Sequence, residues 1–421
     1  MENNKIIIEG NKRLKGEIKV SGSKNLALKI IPASILTRDV ILLKNVPKIE
    51  DIKRSIDLIE DLGAKTKKTK TNLLIDSRNI KKIKIDKKFA EKFRASIIFV
   101  APLLANFGEV IFPHPGGDII SSGGRPINLF IDGFKSLGAK VDFKNGYYHA
   151  KAKKLTGCDF FFPQISVTGT ESMILAASLA EGITTLKNCA LEPEIIALAN
   201  YLNKQGAKIK GAGTNKIIIK GVKKLKPIKN FSIIPDRIEA GTFAIMAAAT
   251  KSEVVINKCE PKHLEALLMI FKKIKINHEI GKNYIKIKSN NKIKSYSVKT
   301  HEYPGFVTDL QSPYTLLMTQ AHGSSIIHET IYDRRLIFTD MLSHMGANII
   351  MCDPHRIVVN GPTKLFGKKL TSPDIRAGIT MIIAGLIASG TTEINNIYQI
   401  NRGYENIVER LQSIGANISK K

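Results

Sequence analysis

The chain has 421 residues, of which 43% are apolar and 24% charged, with a formal net charge of +28. That length can bury more than one core, and the balance is that of a globular protein; no apolar run reaches the ~18 residues of a membrane span and no apolar secretory core follows Met1, so no membrane partner is expected. The excess of lysine sits largely in alternations such as Lys81-Lys82-Ile83-Lys84-Ile85 and Lys292-Ile293-Lys294, which read as strands with one solvated face and as compositional bias rather than a nucleic-acid patch.

In chain order, Lys24 and Asn25 open a first apolar segment, and Asp51–Leu62 follows as an amphipathic helix with Ile52, Ile56, Leu58, Ile59 and Leu62 largely on one face. Leu62-Gly63-Ala64-Lys65 closes it, the glycine serving the helix C-terminus. Ser96–Phe107, beyond Arg94, is apolar on nearly every side and must be buried; a second tetrad runs from Leu137 to Lys140. Ser172–Ala180 repeats the buried helix after the polar run Ser166 to Thr170, and Gly182–Asn188 reads as its strand. Further tetrads stand at Gln205–Lys208, Met345–Asn348 and Ile414–Asn417, with a degraded copy at Lys275-Ile276-Asn277. Further buried helices are expected at Thr242–Ala249 after Asp236 and Arg237, at Tyr314–Ala321 after Asp309, and at Ile379–Ser389 after Asp374 and Arg376.

The copies recur about every 70 residues, which makes six units of buried helix, strand, surface helix and two or more strands. Six such units make two domains of three. Polar residues gather where the buried helices begin. If those helices run parallel, their N-terminal ends make one anion-attracting face. Ser, Thr and Asp at such places are more commonly N-caps, a reading that leaves Lys24, Arg94 and Arg376 unexplained. The four cysteines, Cys158, Cys189, Cys259 and Cys352, show neither metal-ligand spacing nor a disulfide framework. No metal or cofactor is therefore expected, and a reducing cytoplasm is.

Together and in order, Gly22-Ser23-Lys24-Asn25, Pro115-Gly116-Gly117, Arg125-Pro126, Glu192-Pro193-Glu194, Pro235–Glu239, Thr308-Asp309, Asp374–Ala377 and Asn401–Tyr404 resemble the UDP-N-acetylglucosamine 1-carboxyvinyltransferase family of enolpyruvyl transferases. The resemblance runs from about Lys5 to about Ile418. It implies a two-domain inside-out α/β barrel built from six repeated units of buried helix, surface helix and four-stranded sheet. One domain would hold residues 24–233, the other 1–23 with 234–421, and the active site would lie in the cleft between them. It also implies transfer of the enolpyruvyl group of phosphoenolpyruvate to the 3-hydroxyl of UDP-N-acetylglucosamine, with release of phosphate, as the first committed step of peptidoglycan synthesis. The partners are then these two small molecules.

The resemblance assigns residues one by one. Lys24, Arg125 and Arg402 match the phosphoenolpyruvate ligands, and fixed cations suit a substrate carrying a carboxylate and a phosphate. Pro113–Pro126, rich in Pro and Gly, reads as a lid. Asp118 within it stands where most members have Cys, the lid residue that fosfomycin alkylates, and matches the general acid that protonates C3. The stretch from Asp118 to Arg125 is two residues longer than the family's usual spacing. Asp309 matches the base for the sugar hydroxyl, although an Asp after Thr308 is also a credible N-cap. Asn25, Arg94, the run Arg125, Pro126, Ile127, Asn128 and Leu129, with Gln164, Ser166, Val167 and Ile331, match the nucleotide-sugar site. Gln164 replaces a common Lys, and Asn401 a usual Asp. Arg335, Asp374 and Arg376 match cleft-lining residues, with an ion network between domains as their other reading.

Two alternatives stand beside this one. The sister enzyme 5-enolpyruvylshikimate-3-phosphate synthase shares the fold and chemistry, but Asn25 and the Pro-Gly-Gly lid argue against it. A basic RNA-binding or RNA-end-processing repeat protein would need exposed aromatics among its cations, and only 6% of residues are aromatic, none of them Trp.

Overall fold

The computed structural model describes residues 5–91, 93–116, 127–289 and 292–421. The fold is mixed α/β, and the chain divides into two compact units. One comprises the described residues from Gly22 to Ile234, the other the described residues up to Ser21 and from Pro235 to Lys421. Each has its own hydrophobic core. The described residues before Gly22 belong to the second unit because of strand pairing. Ile6–Glu9 lies between Thr391–Asn395 and Asn417–Lys420, antiparallel to both, and Lys15–Lys19 runs parallel to Glu253–Asn257.

Three helices fill the centre of the Gly22–Ile234 unit: Lys24–Ala33, Val100–Phe107 and Val167–Ala177. Arg237–Ala249, Gln311–Met318 and Ile375–Ile387 do so in the other. Their residues are buried on almost every side, so burial and not an amphipathic stripe holds them. Most begin before the expected apolar runs, and the expected Tyr314–Ala321 helix is Gln311–Met318, preceded by a 3-10 turn at Thr308–Leu310. The polar residues flanking the runs are themselves the helix starts. Ser23 accepts from Leu26 N, Ser166 from Gly169 N, Asp236 from Ile238 N and Glu239 N, and Asp374 from Arg376 N and Ala377 N. Expected Ser96–Phe107 splits into a 3-10 segment, Arg94–Phe99, and the helix from Val100. Pro102 has no N–H for the carbonyl of Ile98, so the α-helical ladder can start only after it.

Among the described residues five sheets have four strands each and one has three. In each four-stranded sheet one parallel edge strand adjoins an antiparallel run of three. The three-stranded sheet, Glu109–Pro113, Tyr147–Lys151 and Lys140–Lys144, corrects the expected fourth strand: its place is taken by one parallel bridge, Lys84 to Ile111. Lys87–Ala90 turns helical directly afterwards and leaves no length for a strand. Among the described residues the other Lys/Ile alternation likewise makes one bridge, Lys294 to His322. There the Oγ atoms of Ser325 and Ser297 accept from Tyr296 N and Ile326 N, occupying donors that a longer ladder would need.

The tetrads have one geometry. At the first, Gly63 N donates to Glu60 O at 2.9 Å and Ala64 N to Ile59 O at 3.1 Å. This is a Schellman closure, which needs a left-handed residue at the glycine position. The glycines at 63, 138, 206, 346 and 415 have φ between +90° and +110°, and Lys275 takes the same place in the degraded copy at φ 63°. An added Cβ on Gly206 meets nothing within 4 Å, so Gly206→Ala tests conformation alone. We expect a loss of about 1 kcal/mol, read as a lower urea midpoint at unchanged slope, and a smaller loss for Gly206→Asn, which tolerates this region.

Candidate functional site

Lys24 is the first residue of its helix, and its Nζ lies 2.7 Å from Asp51 Oδ2, with side chains 12% and 4% exposed. Gly22 permits this entry: a Cβ there would stand 1.8 Å from Asn45 O. Ser23 caps the helix and donates from Oγ to Glu194 Oε1 at 3.4 Å. Farther along, Lys29 Nζ lies 3.2 Å from the fully buried Glu171 of the Val167–Ala177 helix. Burial pushes the Glu171 carboxyl up to about 8; Lys29 opposes this, and the charges of Glu194 and Glu192 add to it.

Asn25 is half-buried beside Lys24, and Gln164 is exposed in the loop before the Ser166 cap. Arg94 opens the Arg94–Phe99 segment and donates from Nη1 to Pro115 O at 3.3 Å. Burial, and then the Arg94 charge, lower the pKa of His114. Ile127 is buried, and Asn128 begins the next helix. Leu129 reaches the start of the Val167 helix: a Cβ on Gly169 would lie 3.0 Å from Leu129 Cδ2. Asp118, Arg125 and Pro126 lie outside the described residues.

In the other unit Asp309, Arg335 and Arg376 form one cluster. Asp309 Oδ1 accepts from Arg335 Nη2 at 2.8 Å, and Oδ2 from Arg376 Nη2 at 2.8 Å. The N-cap reading of Asp309 is thereby corrected: Val307 is the cap residue of the Thr308–Leu310 turn, and the carboxylate serves two guanidinium groups instead. Asp374 does cap its helix, and Arg376 stands in that first turn with Nη1 3.3 Å from Tyr404 OH. Tyr404 OH lies 3.1 Å from Thr242 Oγ1 of the Arg237–Ala249 helix. Arg376 is thus joined to the starts of two buried helices, and Asp236, cap of the third, adds its charge. An arginine can sit at a helix N-terminus here because the Asp309 carboxylate bonds it and the Asp236 charge adds to the attraction. Burial disfavours its charge, but Asp309, Tyr404 and Asp236 keep it protonated.

Partial burial pushes the Asp309 carboxyl up, yet Arg376 and Arg335 outweigh it and hold the group well below the usual carboxylate range. Arg402 is 5% exposed and donates to Gln399 Oε1 at 3.0 Å. Ile331 follows the Gly323–His328 strand, its N–H bonded to Glu329 Oε1 at 2.8 Å.

Asp51, Tyr404, Glu194 and Glu329 are not marked by the sequence as site residues and join candidate residues only through the fold. Asp51 is not among the apolar residues of its helix, yet it is 3% exposed. A carboxylate in a first helical turn ordinarily answers the helix dipole, so nothing local marked it for Lys24. Among the described residues no group of three His, Cys, Asp or Glu could hold a metal ion, and no helix is long and apolar enough to cross a membrane. All four cysteines are free.

A family model described as EPSP synthase (3-phosphoshikimate 1-carboxyvinyltransferase) matches residues 8–411. A UDP-N-acetylglucosamine 1-carboxyvinyltransferase of Desulforapulum autotrophicum is 41% identical over 416 residues, covering 99% of each chain. UDP-N-acetylglucosamine 1-carboxyvinyltransferase 1 of Carboxydothermus hydrogenoformans is 42% identical over 416 residues, 99% of this chain and 98% of the relative. Among solved structures, the enolpyruvyl transferase NikO from Streptomyces tendae superposes with a TM-score of 0.91 at 20% identity, over 100% of this chain and 99% of its own. EPSP synthase from Acinetobacter baumannii superposes at 0.74 and 19% identity, over 100% of both chains. The chain therefore belongs to the EPSP synthase family and, within it, to the UDP-N-acetylglucosamine 1-carboxyvinyltransferase family.

Proposed function

We propose that this chain transfers the enolpyruvyl group of phosphoenolpyruvate to the 3-hydroxyl of UDP-N-acetylglucosamine, releasing phosphate, as the first committed step of peptidoglycan synthesis in the cytoplasm. Full-length identity to relatives of that name supports the substrates. The observation that carries the chemistry is Asp309, a carboxylate fixed by two arginines where helix starts meet. Such a carboxylate is ionised and gains basicity once a substrate draws an arginine from it, and the surrounding cations suit an anionic substrate.

In the addition step the sugar oxygen bonds to C2 of phosphoenolpyruvate while C3 gains a proton and becomes a methyl group. Asp309 takes the hydroxyl proton, and Asp118 supplies the one for C3. In the elimination step the C2–O bond to phosphate breaks and C3 returns a proton, restoring the double bond. Lys24, Arg125 and Arg402 hold the phosphate and carboxylate, with Lys24 exchanging Asp51 for the ligand. Asn25, Arg94, Ile127, Asn128, Leu129, Gln164, Ser166, Val167 and Ile331 contact the nucleotide sugar. Arg335, Asp374 and Arg376 complete the set. The fold reading is an inside-out barrel of six units, supported by the common strand order of five sheets.

The test is phosphate release from phosphoenolpyruvate with either acceptor. Release with UDP-N-acetylglucosamine and none with shikimate 3-phosphate is expected; the reverse assigns the chain to the sister reaction.

A further inference from the structure

Glu329 lies at the end of the Gly323–His328 strand, fully buried. Its Oε2 accepts from Thr308 Oγ1 at 2.8 Å; its Oε1 accepts from Ile331 N at 2.8 Å and Tyr332 N at 3.2 Å. The backbone of Glu329 is held as well, its N–H donating to His355 O at 2.8 Å and its carbonyl lying 3.1 Å from His355 Nδ1. One carboxylate thus ties two turns. The first carries Thr308 and Asp309; the second carries Ile331 and leads to Arg335, whose guanidinium lies over the Tyr332 ring at 5.3 Å and feels the Glu329 charge.

A buried carboxylate is costly to desolvate unless several donors compensate it. Three donors converge here, and all come from the segments that carry the base, the sugar contact and one arginine of the Asp309 pair. A cap for the strand end alone needs only an acceptor for two N–H groups, which Ser, Thr or Asn would supply; the third bond, from Thr308 in another segment, goes beyond it. We infer that Glu329 is a positioning residue, setting Asp309 against the 3-hydroxyl of the nucleotide sugar through Thr308 on one side and Ile331 on the other. The inference rests on the proposed reaction. It adds to it a residue that touches neither substrate and works through three hydrogen bonds.

The test compares Thr308→Val, Glu329→Gln, Glu329→Ala and the Thr308→Val/Glu329→Ala double variant in the phosphate-release assay. Thr308→Val removes a single bond while preserving shape, and should lower kcat about 10-fold. Glu329→Ala loses all three and should lower kcat about 100-fold with a raised KM for UDP-N-acetylglucosamine, since misplacement of about 1 Å has that effect. KM for phosphoenolpyruvate should stay within about twofold, because the acid–base geometry is disturbed and the cation site is not. Glu329→Gln keeps an acceptor for both N–H groups and should recover most activity. The double variant should be no worse than Glu329→Ala, because both substitutions break one chain of contacts. If Glu329→Ala folds poorly, Thr308→Val and Glu329→Gln carry the test. Wild-type kinetics in Thr308→Val and Glu329→Ala would overturn the inference. So would parallel losses in both KM values that follow the melting temperature. Absence of any release by the wild-type enzyme would instead overturn the proposed reaction.

Discussion

Asp309→Asn should lower kcat for phosphate release by about 10³-fold while the protein stays folded, the middle of the range for a general base. Asn keeps the size and can still accept a hydrogen bond, but it cannot take the hydroxyl proton. A pH profile adds a sharper result. In the free protein Arg376 and Arg335 hold the Asp309 carboxyl well below its ordinary range, so it stays ionised to unusually low pH and is correspondingly a weak base. Arginines are the groups that an incoming carboxylate or phosphate engages. Each one drawn away lets the carboxyl rise toward its ordinary pKa and gain basicity. The kcat/KM profile reports the free enzyme and kcat the complex, so the acid limb of kcat should lie at higher pH. Arg376→Met should move the acid limb of kcat/KM upward. Coincident limbs, unmoved by that substitution, would show that both arginines stay on Asp309 throughout turnover.

Asp118→Asn should be almost inactive, and Asp118→Cys should stay active. This expectation comes from the sequence, since Asp118 lies outside the described residues; no other acid or Cys occurs between Pro113 and Pro126. A carboxylic acid can protonate C3 only while it keeps its proton. The wild-type rate should therefore fall as pH rises through the Asp118 pKa in the complex. The Cys variant, with a higher intrinsic pKa, should hold its rate to higher pH. Fosfomycin gives a second measurement: a carboxylate is a weak nucleophile toward its epoxide and a thiolate a strong one. The wild type should resist inactivation, and Asp118→Cys should be inactivated with time. Normal turnover by Asp118→Asn would place the acid elsewhere and attribute the apparent match to the two extra residues before Arg125.

Within one turn of helix, the sequence by itself determined a great deal. The Leu-Gly-Ala-Lys tetrads set helix ends because a Schellman closure involves six consecutive residues and a left-handed position, all local. Even the degraded copy closes in this way, with Lys275 N bonded to Lys272 O and Ile276 N to Phe271 O. Apolar runs marked which helices are buried, although they misplaced several boundaries, because the polar residues that cap a helix carry no apolar signal. Charge pairing was another matter. Asp309 meets arginines 26 and 67 positions away, and Ser23 meets Glu194 across 171. Burial makes such contacts strong, and burial is a property of the packed units, not of any window of sequence. The same Asp after Thr308 is a helix cap on local rules, and only packing of the Ile375–Ile387 helix against Gln311–Met318 brings Arg376 to its carboxylate. Glu329 shows the same limit: alternation in a strand tells which face is buried, but only the tertiary structure brings the Thr308 hydroxyl and the Ile331 and Tyr332 N–H groups to the carboxylate there.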